Sequence, residues 1–376
     1  MAPPKLLART GRAVRALLTF LSLLVLGGAC LAPVQVERVW TTVASLNAAR
    51  WRHTATLLES GKVLVVGGRD STGEIGTAEV YDAQANRWTS AGALATTRAE
   101  HTATLLPDGK VLIVGGRSSG VIHASAELYD PAANSFSPAA PPSAARASHT
   151  ATLLAAGQVL IAGGEDSLGA LFTTELYDPL TNSWTKSGDL AVARTGHTAT
   201  LLSSHEVLVV GGEVSTTTAA TAELFDPKTN LFRYTDGLTN ARRVHTATLL
   251  GDGKVLVVGG LSAGAVRASA ELYDFKNGLW TFVPSLLDSV FNHTATLLQN
   301  GQVLVVGGND GTRTLVSAEL FTGEGVSWIR SGAVKAPREQ HTATLLPNGQ
   351  VLIAGGQESG APPVPLASAE LYRSLL

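Results

Sequence analysis

Cysteine is almost missing from this chain: Cys30 is the single one among 376 residues. A disulfide, a Cys-x-x-Cys redox pair and a zinc site built from thiolates are therefore excluded within the chain. Helical patterns are missing too, because no amphipathic stretch follows residue 37. Without a strand that leads into a helix, we predict neither a glycine-rich phosphate loop nor a serine nucleophile elbow.

Charged residues are scarce as well, at 15% of the chain, and the formal net charge is −2. The first 29 residues hold four basic and no acidic side chains, so the rest of the chain has a net charge of −6. Nucleic acid is a poor partner for such a chain, because its recognition requires a basic stripe. The glycine-rich, charge-poor composition fits an exported β protein.

Residues 1–30 have the pattern of an export signal. Four basic residues precede an apolar run from Ala16 to Leu26, and Gly27-Gly28-Ala29 leads directly to Cys30. This order is typical of a signal peptide, and its end resembles the bacterial lipoprotein box, although Gly27 stands where leucine is usual. We predict a signal peptide with lipidation at Cys30, followed by a tether over 31–37. This places the protein at the outer membrane or cell surface; plain secretion, a periplasmic location or an uncleaved anchor are the alternatives.

The rest of the chain repeats with a period of 48 residues. His-Thr-Ala-Thr-Leu-Leu, a short turn and Val-Leu-x-x-Gly-Gly recur seven times without a slip, and the repeats start at His53, His101, His149, His197, His245, His293 and His341. A period of this length indicates a solenoid, a propeller or an array. One closed repeat domain over 38–376 therefore replaces the two or three domains that length alone suggests.

Each repeat contains four strand signals, here named a to d. Strand a is the His-Thr-Ala-Thr-Leu-Leu run, and an Asp-Gly or Asn-Gly turn, as at Asp108-Gly109, connects it to the apolar strand b. Strand c is Ala-Glu-Leu-Tyr-Asp, as in 126–130, and strand d carries an aromatic residue such as Trp88. The seventh strand c, at 369–372, lacks a following strand d, whereas Trp40 stands 48 residues before Trp88. We therefore predict an all-β, seven-bladed propeller of four-stranded antiparallel blades, closed by an N-terminal outer strand around Trp40.

These repeats resemble the kelch family. The resemblance rests on the Gly pair after strand b, an aromatic residue seven positions after the strand-c tyrosine (Tyr81 and Trp88) and a period near 50. It covers 38–376 and also extends to bacterial secreted kelch and galactose-oxidase-type propellers. The resemblance implies adhesion or scaffold modules and, in some members, enzymes. The copper-radical oxidases among them need a Cys–Tyr cofactor, which the absence of a second cysteine and the position of Cys30 exclude here. We predict no cofactor.

Residues present in every repeat are predicted to be structural. The seven histidines listed above are spread around the ring, so we expect hydrogen bonds between blades and not a metal site. An arginine stands three residues before each histidine except at Val290, and we expect these arginines to pair with the strand-c glutamates. The aromatic residues of strands c and d are expected to pack in and between the blades, while Trp51, Tyr234 and Phe291 break the pattern and are candidates for contact with a ligand.

Function is expected where the repeats differ, in the b–c and d–a loops of one face. The position after each Gly pair holds Arg69, Arg117, Glu165, Glu213, Leu261, Asn309 and Gln357. The position before each histidine holds Arg52, Glu100, Ser148, Gly196, Val244, Asn292 and Gln340. Both sets should lie near the mouth of the central channel, with a basic side and an acidic side. The candidate ligand-binding residues are Arg52, Arg69, Glu100, Arg117, Glu165, Glu213, Asn309 and Gln357.

Three functions fit this pattern. We predict a monomeric, non-catalytic module at the bacterial cell surface that binds a protein or a glycan through this face. A carbohydrate-active enzyme, such as a kelch-type sugar epimerase or mutarotase, is the alternative, and it would need several acids and bases at the channel mouth. A structural surface protein with no small ligand is the third possibility. Convergent carboxylates in a deep pocket would favour the enzyme.

Overall fold

A computed structural model describes residues 39–323 and 327–374, and all regular structure in these ranges is β. The predicted signal peptide, Cys30 and the tether lie outside the described residues. Within them, 28 strands form seven four-stranded antiparallel sheets, which are the blades predicted from the repeat. No helix in the described ranges is long and apolar enough to cross a bilayer.

Strands a and b form the inner half of every blade. The a strands are Thr54–Leu57, Thr102–Leu105, Thr150–Leu153, Thr198–Leu201, Thr246–Leu249, Thr294–Leu297 and Thr342–Leu345. The b strands are Val63–Val66, Val111–Val114, Val159–Ala162, Val207–Val210, Val255–Val258, Val303–Val306 and Val351–Ala354. Every residue of the b strands is buried, because neighbouring blades cover both faces of the sheet.

Strands c and d form the outer half. The c strands are Thr77–Asp82, Ala126–Asp130, Thr174–Asp178, Ala222–Asp226, Ala270–Asp274, Ser317–Thr322 and Ala369–Arg373. The d strands are Arg87–Ala93, Ser135–Ala139, Ser183–Lys186, Leu231–Thr235, Leu279–Val283, Ser327–Ala333 and, for the seventh blade, Val39–Val43. The aromatic residue of strand d faces the one on strand c, as in Tyr81 and Trp88, whose ring centroids are 4.9 Å apart.

The two ends of the described chain close the ring. Val39–Val43 pairs antiparallel with Ala369–Arg373, with Trp40 opposite Tyr372. Their ring centroids are 5.1 Å apart, and Trp40 Nε1 donates to the Ser331 carbonyl at 2.9 Å. The predicted closure is confirmed.

The core is divided among the junctions between blades. At the first junction, Leu64 and Val66 of blade 1 pack against Val111, Ile113 and Tyr129 of blade 2. Equivalent clusters fill the other junctions. Each blade therefore buries its apolar faces only with its two neighbours, as expected of a repeat protein.

Buried ion pairs connect the d–a loops to the sheets. Six arginines, each 0% exposed, contact a strand-c glutamate of the same blade at 2.7–2.9 Å, in the pairs Arg50–Glu79, Arg98–Glu127, Arg146–Glu175, Arg194–Glu223, Arg242–Glu271 and Arg338–Glu370. Arg98 Nη1 also donates to the Gly115 carbonyl at 2.8 Å, while Glu127 accepts the Ala95 N–H. The predicted pairing is confirmed, and it fixes the loop that precedes strand a.

Blade 6 lacks this arginine and compensates from another strand. Val290 occupies the arginine position and joins the apolar cluster at that junction. Arg330 on strand d, which is opposite Glu319 in the sheet, lies 3.4 Å from its carboxylate and also contacts Asp288. Burial raises the pKa of Glu319, whereas loop N–H groups and Arg330 lower it. The outer strand thus supplies the cation that the loop does not.

The b–c and d–a loops emerge on one face, as predicted. In five blades the b–c loop begins as a two-stranded ribbon: Arg117–Ser118 with Val121–Ile122, Glu165–Asp166 with Gly169–Ala170, Glu213–Val214 with Thr217–Thr218, Leu261–Ser262 with Ala265–Val266, and Gln357–Glu358 with Val364–Pro365. In the other two blades a single bridge takes its place, Arg69 with Glu74 and Asn309 with Thr314. We call this surface the loop face.

Candidate functional site

The position before each histidine lines the channel mouth on the loop face. All seven residues, Arg52, Glu100, Ser148, Gly196, Val244, Asn292 and Gln340, line one cavity of about 490 Å³. Each has a positive φ between 48° and 62°. Except for glycine, side chains rarely adopt this conformation, so the ring must impose it on residues as different as Val244 and Gln340.

Backbone hydrogen bonds between blades hold this ring in place. The Arg52 N–H donates to the Gln340 carbonyl at 3.2 Å, and the Ser148 N–H donates to the Glu100 carbonyl at 3.0 Å. The Val244 N–H donates in the same way to Gly196 at 2.9 Å. Because backbone N–H and carbonyl groups of neighbouring blades bond to each other, the fold does not require a particular side chain at these positions.

The residue after each Gly pair lies beside the ring formed by the residues that precede the histidines. Each of these residues forms a single antiparallel bridge with the residue two places before a histidine, such as Arg69 with Trp51 and Glu213 with Thr195. Arg117, Glu165 and Glu213 line the cavity at the mouth. Arg69, Asn309 and Gln357 are not among its lining residues and stand around it on the same face.

The predicted separation of the mouth into a basic side and an acidic side is wrong. Glu100 contacts both Arg52 and Arg117, at 2.7 Å in the second case, and Arg117 also contacts Glu165. Glu213 lies 3.4 Å from Arg243. Opposite charges therefore meet in pairs within a blade and between neighbouring blades, because repeats adjacent in sequence are also adjacent in space.

Trp51 holds two arginines at the edge of this network. The guanidinium carbons of Arg52 and Arg69 lie 4.8 and 5.3 Å from the Trp51 ring centroid, within cation–π range. Burial, with the nearby charges of Arg69 and Arg117, lowers the pKa of Arg52, while Glu339 and Glu165 raise it. Arg69 also contacts Glu74 at 3.2 Å.

Asn309 and Gln357 belong to a second polar cluster around Glu339. Asn309 Nδ2 donates to Glu339 Oε1 at 3.1 Å and to Ser359 Oγ at 2.8 Å. Asn292 Nδ2 reaches the other carboxylate oxygen at 2.9 Å. Gln357 forms the bridge with Glu339, and its side chain is buried.

The strand-start histidines join the blades, as predicted. The Nε2 of each lies 2.8–3.0 Å from a threonine Oγ1 of the preceding blade, in the pairs His53–Thr342, His101–Thr54, His149–Thr102, His197–Thr150, His245–Thr198, His293–Thr246 and His341–Thr294. Burial lowers the pKa of His53, His101, His197 and His293 to about 3. In the described part of the chain, no three His, Cys, Asp or Glu side chains are grouped as metal ligands.

Sequence reasoning missed Arg243 and Glu339, which contact the candidate residues. Both stand two places before a histidine, and this position varies between repeats as much as the two that were selected. The spacing Gly-x-Ser-x-Gly does occur, at 116–120 and 260–264. The structure places Ser118 and Ser262 in the ribbons of the loop face, where no helix follows in the described residues.

The fold and the mouth define a seven-bladed propeller with a charged loop face. Two family models match the sequence: the KLHDC2/KLHL20/DRC7 Kelch-repeats domain over residues 34–212 and the Kelch motif over residues 242–287. Together they cover more than half of the chain. The protein belongs to the kelch-repeat propeller family.

Matches to individual proteins are short or distant. Kelch-like protein 24 from Rattus norvegicus, Homo sapiens and Mus musculus is 49% identical over 45 residues, which is 12% of this chain and 7% of each relative. Among solved structures, a "novel fungal alcohol oxidase with catalytic diversity among the AA5 family, in complex with copper" aligns over 90% of this chain and 76% of its own. Its TM-score is 0.75 and its identity 18%, which supports the fold alone.

Proposed function

We propose that this protein is a non-catalytic binding module that recognises a partner protein through its loop face. One observation carries this proposal: positions that differ among otherwise uniform repeats come together at one cavity of about 490 Å³. A uniform scaffold with variable residues on a single face is how repeat proteins present binding surfaces. Kelch propellers commonly serve as interaction modules, which agrees with this role.

The chemistry of the mouth suits a protein more than a neutral glycan. Its charged side chains are only partly exposed, with Arg117 at 29% and Glu165 at 32%. Such pairs can exchange partners with the arginines and carboxylates of an incoming protein, which gives specificity and a salt-dependent association rate. A glycan remains the second ligand class predicted for this face.

The alternative of a carbohydrate-active enzyme draws no support from this arrangement. Glu100, Glu165 and Glu213 are the carboxylates that line the mouth, and each contacts an arginine. Acid–base catalysis on a sugar needs carboxyl groups that are free to reach the substrate, whereas each of these already contacts a guanidinium. The pairs therefore favour binding over catalysis.

Paired variants on opposite faces test the binding site. We expect Arg117→Ala with Glu165→Ala to abolish cross-linking of the partner on intact cells, and Asp108→Ala with Lys110→Ala to leave it unchanged. Asp108 and Lys110 form an exposed pair 3.6 Å apart in an a–b turn on the opposite face, so they are a matched control. Cross-linking to the partner should also weaken as the salt concentration rises from about 50 to about 500 mM, because exposed charges are screened. Equal cross-linking of the partner by all variants would contradict the assignment of the binding site to the loop face.

We further propose that the chain is exported and carried on the bacterial surface by a lipid on Cys30. The support is the order of basic residues, apolar run and Gly27-Gly28-Ala29-Cys30. Metabolic labelling with an alkyne fatty acid should tag the wild-type chain and not Cys30→Ser. Labelling of both chains, or of neither, would contradict the proposed lipid anchor at Cys30.

A further inference from the structure

A second concave site lies on the outer side of the propeller, between blades 4 and 5. Its volume is about 470 Å³, within the range of small-molecule sites, roughly 300–1,000 Å³. Strand d of blade 4 supplies Arg233 and Tyr234, Asp236 directly follows its end, and the c–d turn of blade 5 supplies Phe275 and Asn277. None of these residues lines the cavity at the channel mouth.

The repeat pattern is broken at this cavity. In blades 1 to 4 the turn before strand d holds an asparagine with positive φ, namely Asn86, Asn134, Asn182 and Asn230. Its side chain contacts the preceding blade: Asn86 Oδ1 accepts the Ala44 N–H at 2.9 Å, and Asn182 Oδ1 accepts the Ala140 N–H at 2.9 Å. We call this contact the asparagine clasp.

Blade 5 has Gly278 at the clasp position, so this junction lacks the asparagine contact. The Tyr273 hydroxyl, whose counterparts in blades 1 to 3 bond to the asparagine, lies 2.8 Å from Thr235 Oγ1 of blade 4 instead. Phe275 also departs from the repeat, because proline occupies its position in blades 2 to 4. Two of the cavity residues, Tyr234 and Phe275, are therefore aromatic exceptions that occur at the same junction.

The groups around the cavity match a sugar. The Tyr234 ring is 58% exposed and offers an apolar face to the C–H groups of a pyranose. Asp236 is an exposed acceptor. Asn277 offers Nδ2 as a donor, while its Oδ1 already accepts the Leu279 N–H at 3.0 Å. Alternating donors and acceptors suit hydroxyl groups, which both donate and accept.

An anionic ligand fits this cavity less well. Arg233 is its nearest guanidinium, and it contacts Glu206 at 2.7 Å. Asp236 adds a second carboxylate beside the same wall, which disfavours a phosphate or a carboxylate. We propose that the cavity between blades 4 and 5 binds a neutral saccharide, with Tyr234 stacking on the ring and Asp236 and Asn277 bonding its hydroxyls.

Saturation-transfer difference NMR on the full chain tests this proposal. The probes are the methyl pyranosides of glucose, galactose, mannose and N-acetylglucosamine, together with cellobiose and chitobiose. We expect at least one to bind, with binding at least tenfold weaker in Tyr234→Ala. Gly278→Asn should weaken binding without lowering Tm, because Gly278 lines the cavity, a Cβ there would lie 3.4 Å from Thr235 Oγ1, and blades 1 to 4 accommodate asparagine at this position.

Phe282→Ala is the matched control. Phe282 occupies the same position in blade 5 that Tyr234 occupies in blade 4, is 59% exposed and is not among the residues that line the cavity. Its loss should leave saccharide binding unchanged. The proposal is overturned if no probe binds the wild-type chain, if Tyr234→Ala and Gly278→Asn bind normally, or if only Arg117→Ala with Glu165→Ala removes binding, since the sugar would then occupy the loop face.

Discussion

A single residue position explains why the channel mouth can carry function at little structural cost. The residue before each histidine has a left-handed backbone conformation whether it is Arg52, Glu100 or Val244. For a side chain such as that of Val244 this conformation costs about 1–2 kcal/mol, which the blade-to-blade backbone hydrogen bonds offset. The fold therefore does not dictate the side chain at this position, which leaves it available for the binding role proposed here.

The buried histidines make a prediction about pH. Their pKa values are lowered, to about 3 where a value is given for His53, His101, His197 and His293, whereas an unfolded histidine titrates near 6.5. The unfolded chain thus binds protons first, so stability is complete above about pH 6.5 and is lost as the pH falls towards 3.

Urea unfolding between pH 7.5 and pH 4.5 measures this loss before most carboxylates titrate. His101→Gln should reduce the slope of unfolding free energy against pH, because one buried histidine fewer then gains a proton on unfolding. A stability that is flat from pH 7 to pH 5 would mean that these side chains gain protons in the folded state as easily as in the unfolded one.

At the scale of the element, the arginine–glutamate pair connects the d–a loop to strand c. We expect Arg98→Val, which copies Val290 of blade 6, to destabilise the fold by about 3–5 kcal/mol, because Glu127 remains buried without its partner. Blade 6 tolerates valine because Arg330 supplies the cation from strand d. The measurement is the free energy of unfolding in urea.

Pro138 offers a rescue experiment for this pair. It is opposite Glu127 in the sheet, as Arg330 is opposite Glu319. Adding Pro138→Arg to Arg98→Val should recover part of the lost stability, while Pro138→Arg alone should have little effect. If the double variant is no more stable than Arg98→Val, compensation across the sheet does not explain blade 6.

The elements were predictable from sequence, and several contacts between them were not. Strand order, ring closure at Trp40 and the pairing of Arg98 with Glu127 follow from a period of 48, because every copy repeats the same register. The charge pairs at the mouth, such as Arg117 with Glu165, depend on which loop side chains reach the next blade. The cavity beside Tyr234 combines that side chain with Phe275 and Gly278 of the next blade, and such single departures are easy to overlook in a repeat pattern.

At the scale of the whole propeller, the seam in blade 7 is the place where the ring can open. Val39–Val43 is joined to its sheet by pairing with Ala369–Arg373, whereas the equivalent strand Ser183–Lys186 also follows strand c of its own blade through a short turn. Trp40 and Trp184 make the same contacts, each packing on a tyrosine and donating to a backbone carbonyl at 2.9 and 2.7 Å. They are a matched pair for testing the seam.

Native-state hydrogen exchange should distinguish these two strands. Trp40→Ala removes roughly 3 kcal/mol of packing, so we expect amide exchange in strand 39–43 to accelerate by about a hundredfold through local opening. Trp184→Ala should cost similar global stability and accelerate strand 183–186 much less, because the hairpin and the following loop still hold that strand. Equal acceleration in the two strands would indicate that the seam is as strong as a continuous blade and that the propeller opens only by global unfolding.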